Sequence, residues 1–169
     1  MNRCLELAEQ INRRLGESGS PTIAAAESCS GGGFAASITA HAGSSAYFLG
    51  SIVAYVNDAK AKLLGVSSAI LSERGAVSPE CAEAMARGAR TAFGSDLGVS
   101  TTGIAGPTGA TDRKPIGLVY TALANETSVH VQEHHFSGDR QAVTVAAIEA
   151  ALIMLIVELD RRDAGHRTR

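Results

Sequence analysis

A serine at 44 or 45, Tyr55 and Lys60 have the residue types that nucleophilic catalysis needs. A serine hydroxyl becomes a nucleophile when a base removes its proton, and a lysine in an apolar setting has a pKa low enough to act as that base. A tyrosine hydroxyl between them would relay the proton or donate to a developing oxyanion. The three residues therefore predict an acyl-transfer site, although the same tyrosine and lysine are also typical of a strand aromatic and a solvated helix.

The charge pattern around Lys60 agrees with an apolar setting. No residue from Ser28 to Asn57 carries a formal charge, and Lys60 follows that stretch closely. The chain has two further lysines, Lys62 and Lys114. Lys62 lies on a different helical face from Lys60, so at most one of the two points into a site.

A serine- and glycine-rich segment at 28–33 lies between a predicted strand and a predicted helix. Gly31 and Gly32 let a ligand approach the backbone closely, and free amides at a helix start attract anions. Ser28 and Ser30 add hydroxyl donors, so the segment predicts a phosphate or carboxylate site, with a serine-capped tight turn as the alternative. Cys29 is a second candidate nucleophile because a helix start lowers a thiol pKa, but a small buried thiol is favoured.

Two other segments have the composition of ligand-binding sites. Thr102 and Gly103 follow a predicted buried strand, and α/β sheets bind ligands at the carboxyl ends of their strands. Arg140 follows Asp139, a predicted helix cap, and its charge opposes the helix dipole at a small cost that phosphate binding would offset. The alternatives are a surface loop and a surface arginine.

Several function classes are excluded. The net charge of -2 and the 4% aromatic content, with no tryptophan, argue against nucleic acid binding. No acidic residue stands where a dinucleotide-binding glycine motif needs one. His130 and His134 share a strand face, while the nearest acid, Glu133, points to the other face, so no metal site is expected.

The order of predicted elements indicates one α/β domain. Strands alternate with helices and one hairpin follows, which predicts an α/β sandwich with a mixed sheet. With 169 residues and 45% apolar composition, residues 1–160 suit a single domain; the charged tail at 161–169 is expected to be disordered. The predicted strands cover 22–26, 48–56, 97–102, 117–124 and 128–136; the predicted helices cover 5–15, 31–40, 58–64, 79–93 and 139–159.

Location and assembly follow from simpler features. The longest apolar run, at 150–157, is too short for a membrane span, and Glu6 comes too early for a signal peptide. Three cysteines without a CxxC pair indicate reduced thiols and a cytoplasmic protein. The last predicted helix is apolar on nearly every face at 150–157, which predicts a homo-oligomer.

Eight short motifs occur together in one order. They are AESCSGG at 26–32, GSS at 43–45, AYVNDAK at 54–60, LGV at 64–66, GAVS at 75–78, TGIAGP at 102–107, KPIG at 114–117 and FSGDR at 136–140. This combination strongly resembles the CinA C-terminal domain family, the nicotinamide-nucleotide amidases. The likeness covers about residues 5–158, and the chain looks like the stand-alone form without an N-terminal CinA domain.

The resemblance implies a three-layer α/β/α fold with a mixed, mostly parallel sheet. It implies hydrolysis of the carboxamide of nicotinamide mononucleotide to nicotinate mononucleotide and ammonia, with no cofactor and no metal. It places Ser45 as the nucleophile, Lys60 as the base and Tyr55 as a helper, and leaves Ser28 and Ser44 open as other attacking groups. Residues implied to bind the nucleotide are Ser28, Thr102 and Arg140, with the glycine turn (Ser30, Gly31, Gly32) and Gly103 beside them.

Two competing hypotheses remain at this point. The first alternative to the serine amidase is a nucleotide-binding or regulatory module without catalysis. The second is an amidase that uses the Cys29 thiol. An ammonia-release assay separates the first hypothesis from the serine amidase, and a Cys29→Ala variant separates the second.

Overall fold

The computed structural model describes residues 2–16 and 19–167, and in these ranges five strands form one sheet in the order β2-β1-β3-β4-β5. The strands are β1 (Ile23–Glu27), β2 (Phe48–Val53), β3 (Leu97–Gly103), β4 (Leu118–Ala124) and β5 (Val129–His135). The helices are α1 (Asn2–Leu15), α2 (Gly33–Thr39), α3 (Asn57–Leu64), α4 (Pro79–Phe93) and α5 (Arg140–Arg167), with short helical turns at Ser44–Ala46 and Ile70–Arg74.

The sheet is mixed, and four of its five strands point the same way. β1 lies at the centre of a parallel trio with β2 and β3, while β4 runs antiparallel to both β3 and β5. Helices α1, α2 and α5 pack together on one face, and α3 and α4 pack on the other. The predicted α/β/α sandwich with a mixed, mostly parallel sheet is therefore confirmed.

β1 lies between β2 and β3 in the sheet and is buried along its whole length. All five of its residues are buried, since helices cover both faces. Ala25 faces the core formed with α1 and α5, whereas Ala24 and Ala26 face the core formed with α3 and α4. Alternate residues of one strand thus serve two cores, as the two-residue period of a strand requires.

The predicted elements are all present, with shifts at their ends. The Ser78 hydroxyl accepts a hydrogen bond from the Cys81 amide at 3.1 Å, so the predicted cap of α4 is confirmed. Asp139 caps α5 in the same way through the Ala142 amide at 2.9 Å. α5 continues to Arg167, beyond the end expected near Leu159, and the last two residues of the predicted disordered tail lie outside the described residues.

Helix α5 accounts for the long apolar stretch near the carboxyl end. From Arg140 to Ala164 it is long and apolar enough to cross a membrane by length and composition alone. Its side chains at Val143, Ala147 and Ala151 are fully buried against the sheet and the neighbouring helices, which is the pattern of a core helix. Two large apolar side chains, Ile153 and Val157, stay exposed on its outer face, and the expected self-association stays a prediction.

The parallel trio brings three chain segments to one edge of the sheet. β1 and β3 run in register, so the chain after Glu27 and the chain at Thr102 and Gly103 emerge side by side. β2 ends at the same edge, where the Ala54 amide donates to the Glu27 carbonyl at 2.8 Å. The carboxyl edge of the sheet is therefore the natural place for a site, as in other open α/β folds.

Glu27, the last residue of β1, fixes the turn that follows it. Its carboxylate is 1% exposed and accepts hydrogen bonds from two side chains and three amides. The donors are the hydroxyls of Ser30 (2.8 Å) and Ser51 (2.9 Å) and the amides of Gly32, Phe34 and Ala35 (each 3.0 Å). The three amides belong to the start of α2, where a negative charge is favourable. One side chain thus joins β1, β2 and α2.

We expect Glu27→Ala to lower the free energy of unfolding by at least about 3 kcal/mol, because several buried donors lose their acceptor and each such loss costs about 1–3 kcal/mol. Glu27→Gln should cost less, since one oxygen remains to accept. Urea denaturation measures both, with the exposed loop variant Glu126→Gln as a control. A loss below about 0.5 kcal/mol for Glu27→Ala, the range of an ordinary surface change, would contradict this role.

Candidate active site

The Lys60 amine meets the Ser28 hydroxyl at the carboxyl edge of the sheet. The Nζ atom lies 3.0 Å from Ser28 Oγ and donates to the Ala54 carbonyl at 2.8 Å. Lys60 is 1% exposed and Ser28 is 8% exposed. A hydroxyl and an amine in direct contact, both shielded from water, are the components of a serine–lysine nucleophile.

Burial changes the acid–base behaviour of this lysine. Desolvation lowers the pKa of Lys60 below the ordinary lysine value, and the nearby Cys81 and Cys29 thiols act in the opposite direction. The hydrogen-bond partners of Nζ are both uncharged, and no carboxylate in the described residues forms an ion pair with it. The apolar setting expected for Lys60 is confirmed, and the neutral amine that a base requires is favoured.

Ser45 lies at the other end of the sheet from Lys60. It sits exposed in the short turn Ser44–Ala46, which precedes β2, and the adjoining Tyr47 carbonyl accepts from Ile23 at the start of β1. Ser28 follows the far end of β1, about 16 Å along a five-residue strand. Within this chain the predicted grouping of Ser45 with Lys60 is therefore wrong, and Ser28 occupies that place.

Tyr55 and Arg140 meet across the mouth of the site. Tyr55 follows β2 and is 56% exposed, and its hydroxyl oxygen accepts a hydrogen bond from Arg140 Nη2. Arg140, in the first turn of α5, also donates from Nη1 to the Gly106 carbonyl at 2.8 Å. Because the phenol oxygen accepts from the guanidinium, its own proton stays available for a ligand.

Thr102 and Gly103 form the floor of the site at the end of β3. The Thr102 hydroxyl donates to the Ala76 carbonyl at 2.6 Å, so it can meet a ligand only as an acceptor. Gly103 packs tightly on the neighbouring strand: a Cβ there would lie 2.6 Å from Val119 Cγ2 and 2.7 Å from the Leu118 carbonyl. Both residues line the cleft, as expected.

Most hydrogen-bond donors of the glycine turn already have acceptors within the chain. The Gly31 amide donates to the Ser28 carbonyl at 3.1 Å, and the Gly33 amide donates to the Ser30 carbonyl at 3.0 Å. The Gly32 amide donates to Glu27, as does the Ser30 hydroxyl, which in turn accepts from Thr101 at 2.6 Å. These groups are therefore committed to the fold rather than open to a phosphate.

Two amides in the middle of the same turn differ from their neighbours. Those of Cys29 and Ser30 donate to no backbone carbonyl in the part of the chain that the structure describes. They follow directly after the Ser28 side chain that contacts Lys60. Cys29 lines the same space as Ser28 and Lys60, whereas Ser30 does not, so the Cys29 amide has the position that an oxyanion-binding amide occupies beside a nucleophile.

Cys29 is the small buried thiol that the sequence favoured. It is 6% exposed, and burial raises its pKa to about 12, against weaker opposing effects from hydrogen bonds and from Lys60. The thiolate is the reactive form of cysteine, so a thiol with this pKa is a poor nucleophile near neutral pH. The three cysteines at 4, 29 and 81 are free and buried.

The turn after β1, the chain after β2, and the ends of β3 and α5 nearest to Lys60 enclose a cleft of about 270 Å³. Its walls include Ser28, Lys60, Tyr55, Thr102 and Arg140, which the sequence had placed in one site. A group of three or more histidine, cysteine or acidic side chains that could hold a metal is not found among the described residues. His134 instead meets the Thr121 hydroxyl at 2.9 Å and stacks on Phe136.

Sequence reasoning missed Glu27 as the organiser of this site. The available signal was an acidic residue at the end of an otherwise apolar buried strand, directly before a glycine turn. A buried carboxylate requires several donors, and a helix start supplies them. The contact of Arg140 with the Gly106 loop gave no comparable signal, because it depends on how α5 packs.

Comparisons with known proteins agree with this fold. The family model of the CinA C-terminal domain matches residues 5–159. A CinA-like protein of Geobacter sulfurreducens is 55% identical over 130 residues, which is 76% of this chain and 32% of that protein, so the chain spans about a third of the length of that curated relative.

Solved structures give the same result over almost the whole chain. The competence/damage inducible protein CihA from Agrobacterium tumefaciens has a TM-score of 0.89 and 38% identity, covering 94% of this chain and 96% of its own. A CinA superfamily protein from Klebsiella pneumoniae has a TM-score of 0.88 and 32% identity, covering 94% and 98%. The chain belongs to the CinA C-terminal domain family.

Proposed function

We propose that this chain is an amidohydrolase that converts nicotinamide mononucleotide to nicotinate mononucleotide and ammonia, with Ser28 as the nucleophile and Lys60 as the base. The observation that carries the proposal is the 3.0 Å contact between the Lys60 amine and the Ser28 hydroxyl. Both groups are buried, and the hydrogen-bond partners of the amine are uncharged. A lysine placed only for stability would pair with a carboxylate or reach solvent.

The first half of the reaction forms an acyl-enzyme. Neutral Lys60 takes the proton of Ser28 while Oγ bonds to the carboxamide carbon, and the carbonyl π electrons move to oxygen. In this mechanism the Cys29 amide donates to that oxyanion, and such a donor is worth about 3–4 kcal/mol. When the carbon–nitrogen bond breaks, the Lys60 ammonium returns its proton to the leaving group, which departs as ammonia.

The second half releases the acid. Water attacks the ester carbon, Lys60 accepts the proton of the water, and the same proton passes to Ser28 Oγ as the ester bond breaks. Lysine and serine then regain their starting states, so no group other than water is consumed. The Tyr55 proton is free to donate to the substrate, since the phenol oxygen already accepts from Arg140.

The nucleotide part of the substrate is supported by the charges at the mouth of the cleft. Arg140 keeps N–H donors beyond the two that bind Tyr55 and Gly106, and an arginine fork suits phosphate. The amides at the start of α2 are committed to Glu27, so we place the phosphate at Arg140 rather than on the glycine turn. A cleft of about 270 Å³ is of the size that suits a planar carboxamide ring with part of a ribose.

The proposal predicts ammonia release from nicotinamide mononucleotide by the purified native chain. Ser28→Ala should lower kcat/KM by about 10³-fold or more, because it removes the attacking atom. Ser45→Ala is the matched control, since Ser45 is exposed at the other end of the sheet and its loss should change the rate by about twofold at most.

The competing hypotheses give other results in the same assay. A binding or regulatory module would bind the mononucleotide without releasing ammonia. A thiol amidase would lose its activity in Cys29→Ala and keep it in Ser28→Ala. Loss of activity in Ser45→Ala with full activity in Ser28→Ala would identify Ser45 as the nucleophile and contradict the role proposed for Ser28.

The buried lysine also predicts the pH dependence. Lys60 accepts a proton only as the neutral amine, which predominates above its folded-state pKa, so kcat/KM should rise with pH and reach a plateau. Burial lowers this pKa, so the rise should centre below the ordinary value for lysine of about 10.4.

Steady-state kinetics from pH 6 to pH 10 measure this rise. Lys60→Met should abolish turnover at every pH, while Lys62→Met, on the exposed face of the same helix, should leave the profile unchanged. A rate independent of pH in this range, or one that falls as pH rises, would exclude Lys60 as the base.

A further inference from the structure

A second and larger cleft adjoins the catalytic cleft and has no part in the proposed reaction. It measures about 710 Å³ and runs between the start of α2 and the first two turns of α5, and we call it the α2–α5 groove. Its walls come from the turn at 30–33, Ala36, and α5 residues between Asp139 and Ile148. Arg140 lines both spaces, and the turn at 28–33 contributes its first residues to the catalytic cleft and its last residues to the groove.

The charges around the α2–α5 groove determine what it can hold. Asp139 and Arg140 are the two formally charged residues among those that line it. Asp139 uses one oxygen to accept from Ala142, which leaves the other to accept from a ligand. A phosphate deep in this groove would meet a carboxylate, and the amides of Gly32 and Phe34 are held by Glu27. The groove therefore suits a neutral group with hydroxyl donors.

The shape of the wall favours a flat group. Gly31 and Gly32 offer bare backbone on the α2 side, where a planar ring can lie close because there is no side chain. Val145 and Ile148 supply apolar surface on the α5 side, and Gln141 is exposed at the rim with an amide that can donate and accept. These are the contacts that a neutral nucleoside would use.

The two spaces and the arginine between them form an ordered set. The catalytic cleft takes a carboxamide ring, Arg140 takes an anion, and the α2–α5 groove takes a neutral, planar, hydroxyl-bearing group. We propose that the chain binds dinucleotides, an inference that rests on the proposed function for the carboxamide ring in the catalytic cleft. The carboxamide nucleoside then lies at Ser28, the linking phosphates at Arg140 and the second nucleoside in the α2–α5 groove. A mononucleotide leaves the groove empty.

Binding to the Ser28→Ala variant tests this without turnover. Calorimetry with nicotinamide mononucleotide and with nicotinamide adenine dinucleotide should give a Kd for the dinucleotide that is lower by about tenfold or more. Ala36→Phe, in the same background, places a ring in the groove from an exposed helix position. It should remove the advantage of the dinucleotide and change the Kd of the mononucleotide by about twofold at most.

Ala40→Phe is the matched control, because Ala40 is exposed at the end of α2 and does not line the groove. Equal affinities for the two nucleotides would overturn the inference, and so would an equal loss of both in Ala36→Phe. Ammonia release by the native chain is measured separately. Release of ammonia without a preference for the dinucleotide overturns the groove inference and leaves the proposed function standing, whereas tighter dinucleotide binding without ammonia release supports the groove and contradicts the amidase.

Discussion

The site depends on one amine that is buried without an opposite charge. Lys60, in α3, is buried beside the end of β2 and the turn after β1, and its Nζ hydrogen-bonds to a carbonyl and a hydroxyl. An ammonium in that position would lose most of its hydration with no carboxylate in return, so the fold favours the neutral base. The same burial that makes the lysine unfavourable as a cation makes it useful for removing the Ser28 proton, in line with the strain that functional sites retain.

Glu27 is a buried carboxylate near the site, but its hydrogen bonds go to the turn after β1, to β2 and to α2 and not to Lys60. Its carboxylate holds the start of α2, which keeps the serine turn rigid and also satisfies the amides that would otherwise attract an anion. The consequence for recognition is that a positive charge must come from another element. Helix α5 supplies that charge through Arg140, and the contacts of Arg140 with Tyr55 and the Gly106 loop place it at the mouth of the cleft.

Sequence patterns predicted the elements well and the partner of the lysine poorly, for a physical reason. Periodicity, the Ser78 cap and the hairpin depend on neighbours along the chain, and the structure confirms them. The grouping of Ser45 with Lys60 rested on closeness in sequence, yet Ser45 precedes its strand and Ser28 follows one. In a parallel trio the residues after the strands share one edge and the residues before them share the opposite edge. Lys60 and Ser28 both follow predicted strands, so this rule groups Lys60 with Ser28 and not with Ser45.

What the sequence could not supply is the packing of α5. The helix has apolar residues on nearly every side, so its pattern does not say which side faces the sheet. Burial of Val143, Ala147 and Ala151 fixes that orientation, and it thereby brings Arg140 at the start of the helix over the catalytic cleft. Because the first turn of α5 is continuous with a buried stripe, the core sets the backbone position of Arg140, while the contacts with Tyr55 and the Gly106 carbonyl set its side chain. The same orientation opens the α2–α5 groove beside the glycine turn, so a single packing choice sets both the charge that meets the substrate and the space beyond it.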